Sequence, residues 1–273
     1  MVFVGRSRRD LTTAIRRELV RGRSPWTLCA AAGIVLLPTL QGVTETANAL
    51  FRDEGDVLVS LLNSPLVYVF PLLVALVGSR SLADDIARRS FVNERYRQPF
   101  SALLSAKIVA AALASATVFF LLGGIATLIA AVVWPLIGDP AIDPSGYHPL
   151  VPFEQRFTFA DLSGGSVLVF GLLMSLWFAF AAAVYSVLTS ASLVLVPNRA
   201  VALLLPFAAY FAMTVVLSVL HEPALTPLYS VFPAGLQQSP WLVAASPTLV
   251  TAAVAAALWL FIVRRPSESR HLL

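Results

Sequence analysis

Six uninterrupted apolar stretches constrain this chain more than any other feature of its sequence. Each is long enough to cross a hydrocarbon core of roughly 30 Å as a helix. Their residues are apolar on every face, whereas strands of a membrane barrel alternate apolar and polar residues. We therefore expect an all-α polytopic membrane protein built as a single transmembrane domain, 1–273. The six spans are expected at about 25–41, 57–78, 106–136, 165–189, 199–220 and 242–263.

Basic residues are sorted between alternate segments of the chain. The segments before span one, between spans two and three, between spans four and five, and after span six hold 17 of the 19 Lys and Arg residues. An excess of Lys and Arg beside spans marks the cytoplasmic side. We therefore expect both termini and the segment 79–107 in the cytoplasm. The same excess accounts for the net charge of +4 without a nucleic-acid partner.

The start of the chain has a basic amphipathic pattern. Leu11, Ile15 and Leu19 recur at helical spacing among seven arginines. This pattern predicts an interfacial helix at about 8–22 that lies in the plane of the membrane surface. No small-residue cleavage site ends the apolar run that follows, so we interpret the stretch as retained rather than as a signal peptide.

The segment between spans five and six, 221–241, is apolar but is interrupted by four prolines. Proline disfavours a continuous helix, and the segment is too apolar to be freely solvated. We therefore expect a re-entrant or surface-lying hairpin at this point of the chain.

The spans contain almost no charged residues. Ion-coupled transporters and proton relays place such residues inside spans. No Asp, Glu, Lys, Arg or His occurs within 108–136, 162–198 or 201–220. The sequence therefore does not predict a proton- or sodium-driven transporter.

Residue patterns for catalysis are also missing from the sequence. The three histidines lie at or beyond span ends, so no zinc-binding HExxH pair is available, and no GxxxxGK[ST] phosphate-binding loop is present. The run Ser163–Ser166, Ser-Gly-Gly-Ser, is interpreted as a flexible entry to span four rather than as a nucleophile site. The only cysteine, Cys29, permits no disulfide and is interpreted as a small core residue. We therefore expect no catalysis, metal or cofactor in this chain.

A few polar and helix-breaking residues lie inside the spans. Such residues usually serve interhelical packing, but they also provide a weakly polar lining for an amphiphilic substrate, with prolines as kinks. Both interpretations stay open. The candidate pathway residues are Asn63, Ser64, Pro65, Ser175, Tyr185, Pro206 and Tyr210.

The segment 79–107 is the only long charged segment between two spans. Asp84 or Asp85 is followed by Arg95 or Arg97, and then by Lys107 at the start of span three. This order resembles the membrane subunit of ABC-2-type ABC transporters, in which an acid, a basic residue and a Lys occupy the segment after span two. The glycine and proline of the family's commoner form are not present here. The amphipathic start, six spans and interrupted hairpin are also similar to that family.

The resemblance implies a permease that pairs with a separate, soluble P-loop ATP-binding subunit. ATP and Mg would bind on that partner, and two permease chains, identical or related, would form the pathway. A coupling helix at about 82–92 would seat in the ATPase, and closure of the ATPases would shift the spans. The residues implied in coupling are Leu82, Asp84, Asp85, Ile86, Arg88, Arg89, Phe91, Glu94, Arg95, Arg97 and Lys107.

The resemblance leads us to expect a multi-pass protein of a prokaryotic cell membrane that exports a hydrophobic or amphiphilic substrate. One alternative is a non-transporting membrane scaffold or assembly protein, whose basic segment 79–107 sets its orientation and binds anionic lipid. A second alternative is an intramembrane enzyme without a recognisable motif.

Overall fold

The computed structural model describes residues 8–22, 24–46, 49–87, 100–138, 141–147, 151–235 and 241–264. These residues form helices and connecting turns without a β-strand; an isolated bridge joins Phe51 to Ile142. The α-helices are α1 Arg8–Arg21, α2 Pro25–Thr46, α3 Glu54–Leu62, α4 Phe70–Val74, α5 Arg80–Ala87, α6 Phe100–Leu128, α7 Trp134–Leu136, α8 Val167–Leu195, α9 Arg199–Val219, α10 Pro227–Val231 and α11 Trp241–Arg264.

Six of the helical stretches in the described ranges are long and apolar enough to cross a membrane. This confirms the prediction of an all-α chain with six candidate spans. Five of the predicted positions agree with the structure to within six residues at either end. The spans are Pro25–Glu45, Pro65–Ala87, Ser101–Leu136, Val167–Leu195, Arg199–Val219 and Leu242–Arg264.

The second span lies further along the chain than the predicted 57–78. Asp53 is the N-cap of α3, and its side chain accepts hydrogen bonds from the backbone N–H groups of Gly55 and Asp56; Asn63 is the C-cap of the helix. Pro65 lacks a backbone N–H and disfavours helical geometry at the residue before it, so the chain breaks here. The span then runs as one helical stretch from Pro65 to Ala87. The predicted position was wrong because the apolar run continues across this break.

Much of the charged segment 79–107 belongs to the flanking helices. α4 passes through a single π-helical stretch, Ala75–Ser79, directly into α5. Residues 82–87 therefore extend the second span, and the prediction of a separate helix at 82–92 is wrong for that part. α6 already begins at Phe100. The predicted coupling residues Arg88, Arg89, Phe91, Glu94, Arg95 and Arg97 lie outside the described residues.

Small residues bring the central helices α6 and α8 together. A Cβ atom at Gly123 would lie 2.8 Å from the Cα of Ser175, and one at Gly171 would lie 2.3 Å from the hydroxyl of Thr127. Close backbone approach through small residues is the usual way in which membrane helices associate. The two helices therefore form a tightly packed centre, against which the other spans lie.

The segment between spans five and six is a series of short helical turns around α10. Trp177 Nε1 donates a hydrogen bond of 2.7 Å to the carbonyl of Ser230, and the Ser230 hydroxyl is 2.8 Å from that of Thr248. Trp177 lies ten residues after the start of α8, roughly 15 Å along that helix. The segment thus packs deep along the spans.

Cys29 is exposed on the outer face of α2. The interpretation of this residue as part of the core was therefore wrong. The first span has few buried positions, because α2 lies at the edge of the bundle, and an apolar sequence does not indicate which face meets protein.

Candidate functional site

The buried face of α1 contains a carboxylate. Ala14 and Glu18 are buried, and Ile15, Leu19 and Gly22 beside them are partly buried. These residues follow the spacing of three and four that places side chains on one helix face. α1 therefore presents Glu18 to the bundle within an otherwise small and apolar face.

Glu18 contacts a lysine and, through it, an aspartate. Lys107 Nζ lies 2.9 Å from Glu18 Oε2 and 2.5 Å from Asp85 Oδ2. Arg21 Nη2 lies 2.9 Å from Asp85 Oδ1. We name these four residues the charge cluster. It joins the N-terminal helix, the end of the second span and the start of the third.

Three of the four members of the charge cluster are almost completely shielded from solvent. The side chains of Lys107, Glu18 and Asp85 are only 3%, 4% and 6% exposed, while that of Arg21 is 43% exposed. Two carboxylates around one ammonium leave one excess negative charge, which Arg21 balances at the rim. Removing one member of a buried ion pair is strongly destabilising, because the remaining charge is left without compensation. The cluster therefore fixes the three helices relative to one another.

Tight packing continues from the charge cluster into the bundle. A Cβ atom at Gly78 would lie 2.4 Å from the Ser115 hydroxyl, 2.7 Å from the Ser186 hydroxyl and 2.8 Å from the carbonyl of Ala111. Gly78 belongs to the π-helical stretch, and such stretches frequently occur at functional sites. A displacement of α5 would therefore be transmitted to α6 and α8.

The structure brings together two of the predicted coupling residues, Asp85 and Lys107. Leu82 is buried and packs in an apolar cluster with Leu103, Leu104 and other residues, and Ile86 packs against that cluster. Asp84 is half exposed, with Oδ1 3.7 Å from Nη1 of Arg199 at the start of α9. α5 therefore connects the second span to the turn before span five as well.

Glu18 and Arg21 belong to the cluster but were not predicted as site residues. The missed signal is the position of Glu18 on the apolar face of α1, four residues after Ala14 and three after Ile15. A carboxylate on that face needs a cation from another element. Lys107 was the available cation at the start of the third span, but its pairing with Glu18 could not be predicted because the two residues lie far apart in the sequence.

Most predicted pathway residues are packing residues in this conformation. The rings of Tyr185 and Tyr210 are 5.8 Å apart at 85°, and the Tyr210 hydroxyl donates to the carbonyl of Val67. Ser175 donates to Gly171 of its own helix. Pro206 is buried, Asn63 and Pro65 are exposed, and Ser64 lines a cavity of only about 30 Å³.

A second ion cluster lies between α3 and the loop before α8. The side chain of Arg156 is 2% exposed and contacts Asp53 and, at 2.7 Å, Asp56. In the same loop, hydrogen bonds from the Ser145 side chain and backbone lower the pKa of Asp143. The segments 42–56 and 137–164 hold the two basic residues that lie outside the segments expected in the cytoplasm, so charge sorting predicts both segments on the opposite side of the membrane. They contact each other, just as α1 contacts 79–107.

The described residues do not contain a group of three or more His, Cys, Asp or Glu arranged to hold a metal. The run Ser163–Ser166 has a structural role: the Ser166 hydroxyl accepts from the backbone N–H of Val169 at the start of α8, and Ser163 donates to the carbonyl of Ala160.

Comparison with known proteins gives no match: no family model, no curated protein and no solved structure is significantly similar to the chain.

Proposed function

We propose that this chain is the membrane-spanning subunit of an ATP-driven transporter of ABC-2 type, which exports a hydrophobic or amphiphilic substrate. A separate soluble P-loop subunit binds ATP and Mg. The pathway forms between two permease chains, identical or related. The protein then resides in the cell membrane of a prokaryote.

The charge cluster is the observation that carries this proposal. It joins α1, α5 and α6 at the point where the chain enters and leaves the charged residues 88–99. A partner that pushes on those residues would move three helices together instead of bending one. Motion of packed elements as rigid bodies is a common way of switching between two states. The absence of Asp, Glu, Lys, Arg and His within most of the spans also supports an energy source outside this chain.

In this proposal the end of the bundle with the charge cluster faces the cytoplasm. The termini, residues 79–107 and the turn before α9 lie there, as their Lys and Arg content suggests. α1 lies at the membrane interface, with its exposed arginines toward lipid head groups. The turns around α10 form a re-entrant hairpin from the outer side.

The experiment begins with the chain purified from its own membranes after mild cross-linking. We expect a soluble protein with a GxxxxGK[ST] motif to purify with it. The two are then co-reconstituted, and ATP-dependent uptake of a fluorescent amphiphile into inside-out vesicles is measured. Uptake that is abolished by withholding ATP or Mg supports the proposal.

Three variants test whether the charged segment and the charge cluster couple this chain to the ATPase. Arg89→Glu should reduce association with the ATPase, and Asp85→Asn should reduce ATP-dependent uptake at least tenfold while the complex still forms. Glu45→Gln, an exposed carboxylate at the other end of the bundle, is the control and should behave as wild type. If no ATPase associates and no variant changes uptake, the chain is not a transport subunit, and the scaffold alternative takes its place.

A further inference from the structure

A long, narrow cavity lies between α1, α2 and the second and third spans. Its volume is about 250 Å³. Its lining on α6 extends from Lys107 to Val118, which lies eleven residues further along the helix, a rise of roughly 16 Å. Leu28, Ala31 and Val77 are among its apolar walls, and Glu18 lies at its polar end. The cavity therefore has the form of a slot with one charged end.

The mouth of this slot opens between two membrane spans. Leu28 on α2 is 57% exposed, and Thr117 on α6 is exposed as well. Because α2 and α6 belong to candidate spans, a mouth between them would face hydrocarbon rather than water. An empty apolar slot loses dispersion contacts along its walls. The occupant that the surroundings supply is an acyl chain.

The polar end of the slot requires a hydrogen-bond donor. Glu18 Oε1 is buried and accepts no hydrogen bond from the described residues, and Arg17 Nη2 lies 3.5 Å from it. A buried acceptor without a donor costs about 1–3 kcal/mol, and more when it is charged. The occupant should therefore carry an N–H or O–H group beside its apolar chain.

Two guanidinium groups at the same end favour an anionic group next to that donor. The side chains of Arg17 and Arg21 are 56% and 43% exposed, and both lie on α1 beside Glu18. Arginine recognises phosphate through several parallel hydrogen bonds. A phosphate that contacts the arginines at the rim and an ammonium that donates to Glu18 together make up one zwitterionic head group.

We propose that this slot binds one acyl chain of a phospholipid with a primary ammonium head group, as in phosphatidylethanolamine. The ammonium donates to Glu18 Oε1, the phosphate contacts Arg17 and Arg21, and the chain fills the space along Ala31 and Ala114. The site does not depend on ATP-driven transport, and its test uses no ATPase, so either proposal can fail alone.

Lipid retention by the unmodified chain is the first measurement. The protein is purified in mild detergent and equilibrated with equal amounts of phosphatidylethanolamine and phosphatidylcholine that have identical chains. Native mass spectrometry then counts the retained lipid. These lipids have the same net charge, but the quaternary ammonium of phosphatidylcholine has no N–H to donate. We expect one phosphatidylethanolamine per chain, retained at least fivefold over phosphatidylcholine. Equal retention of the two overturns the proposal.

Variants of the slot provide the second measurement. Ala31→Phe and Ala114→Phe fill it from opposite walls and should each reduce retention at least fivefold. Leu113→Phe adds bulk on the adjacent, exposed residue of α6 and should retain lipid as wild type does. If both filled variants elute as single folded species and retain lipid normally, the lipid is only surface-bound and the proposal is wrong.

Substitution of Glu18 tests the head-group contact. Glu18→Leu removes the acceptor and leaves Lys107 paired with Asp85 at 2.5 Å. We expect this variant to bind both lipids with a ratio near one. A preserved preference for phosphatidylethanolamine would exclude Glu18 as the acceptor. If a variant does not fold, the comparison of the two lipids on the wild-type chain still tests whether the slot prefers a primary ammonium head group.

Discussion

Replacement of Lys107 by methionine tests whether the charge cluster holds the bundle together. Methionine has a similar length and fills the same space without the charge. The substitution leaves Glu18 and Asp85 facing each other in a site where each is less than 10% exposed. Arg21 remains on Asp85, whereas Glu18 is left with the exposed Arg17, whose Nη2 lies 3.5 Å from Glu18 Oε1.

The expected loss of stability follows from the geometry. Glu18 Oε2 and Asp85 Oδ2 contact the same nitrogen at 2.9 and 2.5 Å, so they lie at most about 5.4 Å apart. Two like charges at that distance repel by about 3 kcal/mol at an effective dielectric constant of about 20. Breaking a buried pair by removing one partner typically costs about 3–5 kcal/mol. We therefore expect Lys107→Met to lower the free energy of unfolding by about 3–5 kcal/mol.

The assay is thermal unfolding in detergent, followed by the fraction of chain that still elutes as a single species after heating. For a chain of this size the expected drop in Tm is on the order of 10 °C. The matched control is the triple variant Glu18→Gln/Asp85→Asn/Lys107→Met, which removes all three buried charges together. Because no buried charge of the cluster then remains, the triple variant should recover most of the lost stability.

Two results would refute this reasoning. A Tm of Lys107→Met within about 2 °C of wild type would mean that the cluster is hydrated or rearranges at little cost. A triple variant that is less stable than the single variant would mean that the side chains contribute by packing rather than by charge.

Three further predictions concern other parts of the bundle. Gly78→Ala should cost about 1–3 kcal/mol by overpacking against Ser115, whereas Gly124→Ala, which has open space around it, should be neutral or stabilising by helix propensity; thermal unfolding compares them. Arg156→Met should speed amide exchange in the loop before α8 at least tenfold, because Asp53 and Asp56 lose their common partner, while Glu45→Gln should not. In a Cys29→Ala background, a membrane-impermeant maleimide should label Glu45→Cys but not Arg16→Cys in intact cells; the opposite pattern would invert the proposed orientation.

The sequence predicts those parts of the fold that depend on the length of the apolar runs and on the distribution of charged residues. Spans three to six were placed by uninterrupted apolar runs, which leave the backbone no way to satisfy its hydrogen bonds in lipid except as helix. The second span was misplaced because Pro65 breaks a run that hydropathy treats as continuous. The extension of that span through α5 was missed because its Arg and Asp residues suggest a solvated loop, whereas Asp85 is buried against Lys107.

The candidate site was only partly predictable for a related reason. Asp85 and Lys107 were singled out by a resemblance in their order along the chain. To predict Glu18 as a member of the cluster, one would have to know which face α1 turns toward the bundle. Local pattern indicates a helix and its apolar face, but pairing of residues 18 and 107 is a tertiary contact that no single segment encodes.

The position of the charge cluster explains why buried charges are tolerated in so apolar a chain. Lys107 is the eighth residue of α6, so the cluster lies near the end of a span, where an ionisable group costs less than at the bilayer centre. α1 has only 14 residues, a length at which an isolated helix is marginal, and few apolar side chains on its buried face. Apolar contact alone would let α1 slide along α6, whereas an ammonium held by two carboxylates permits one register. The ions thus supply the specificity that the small apolar face of α1 lacks.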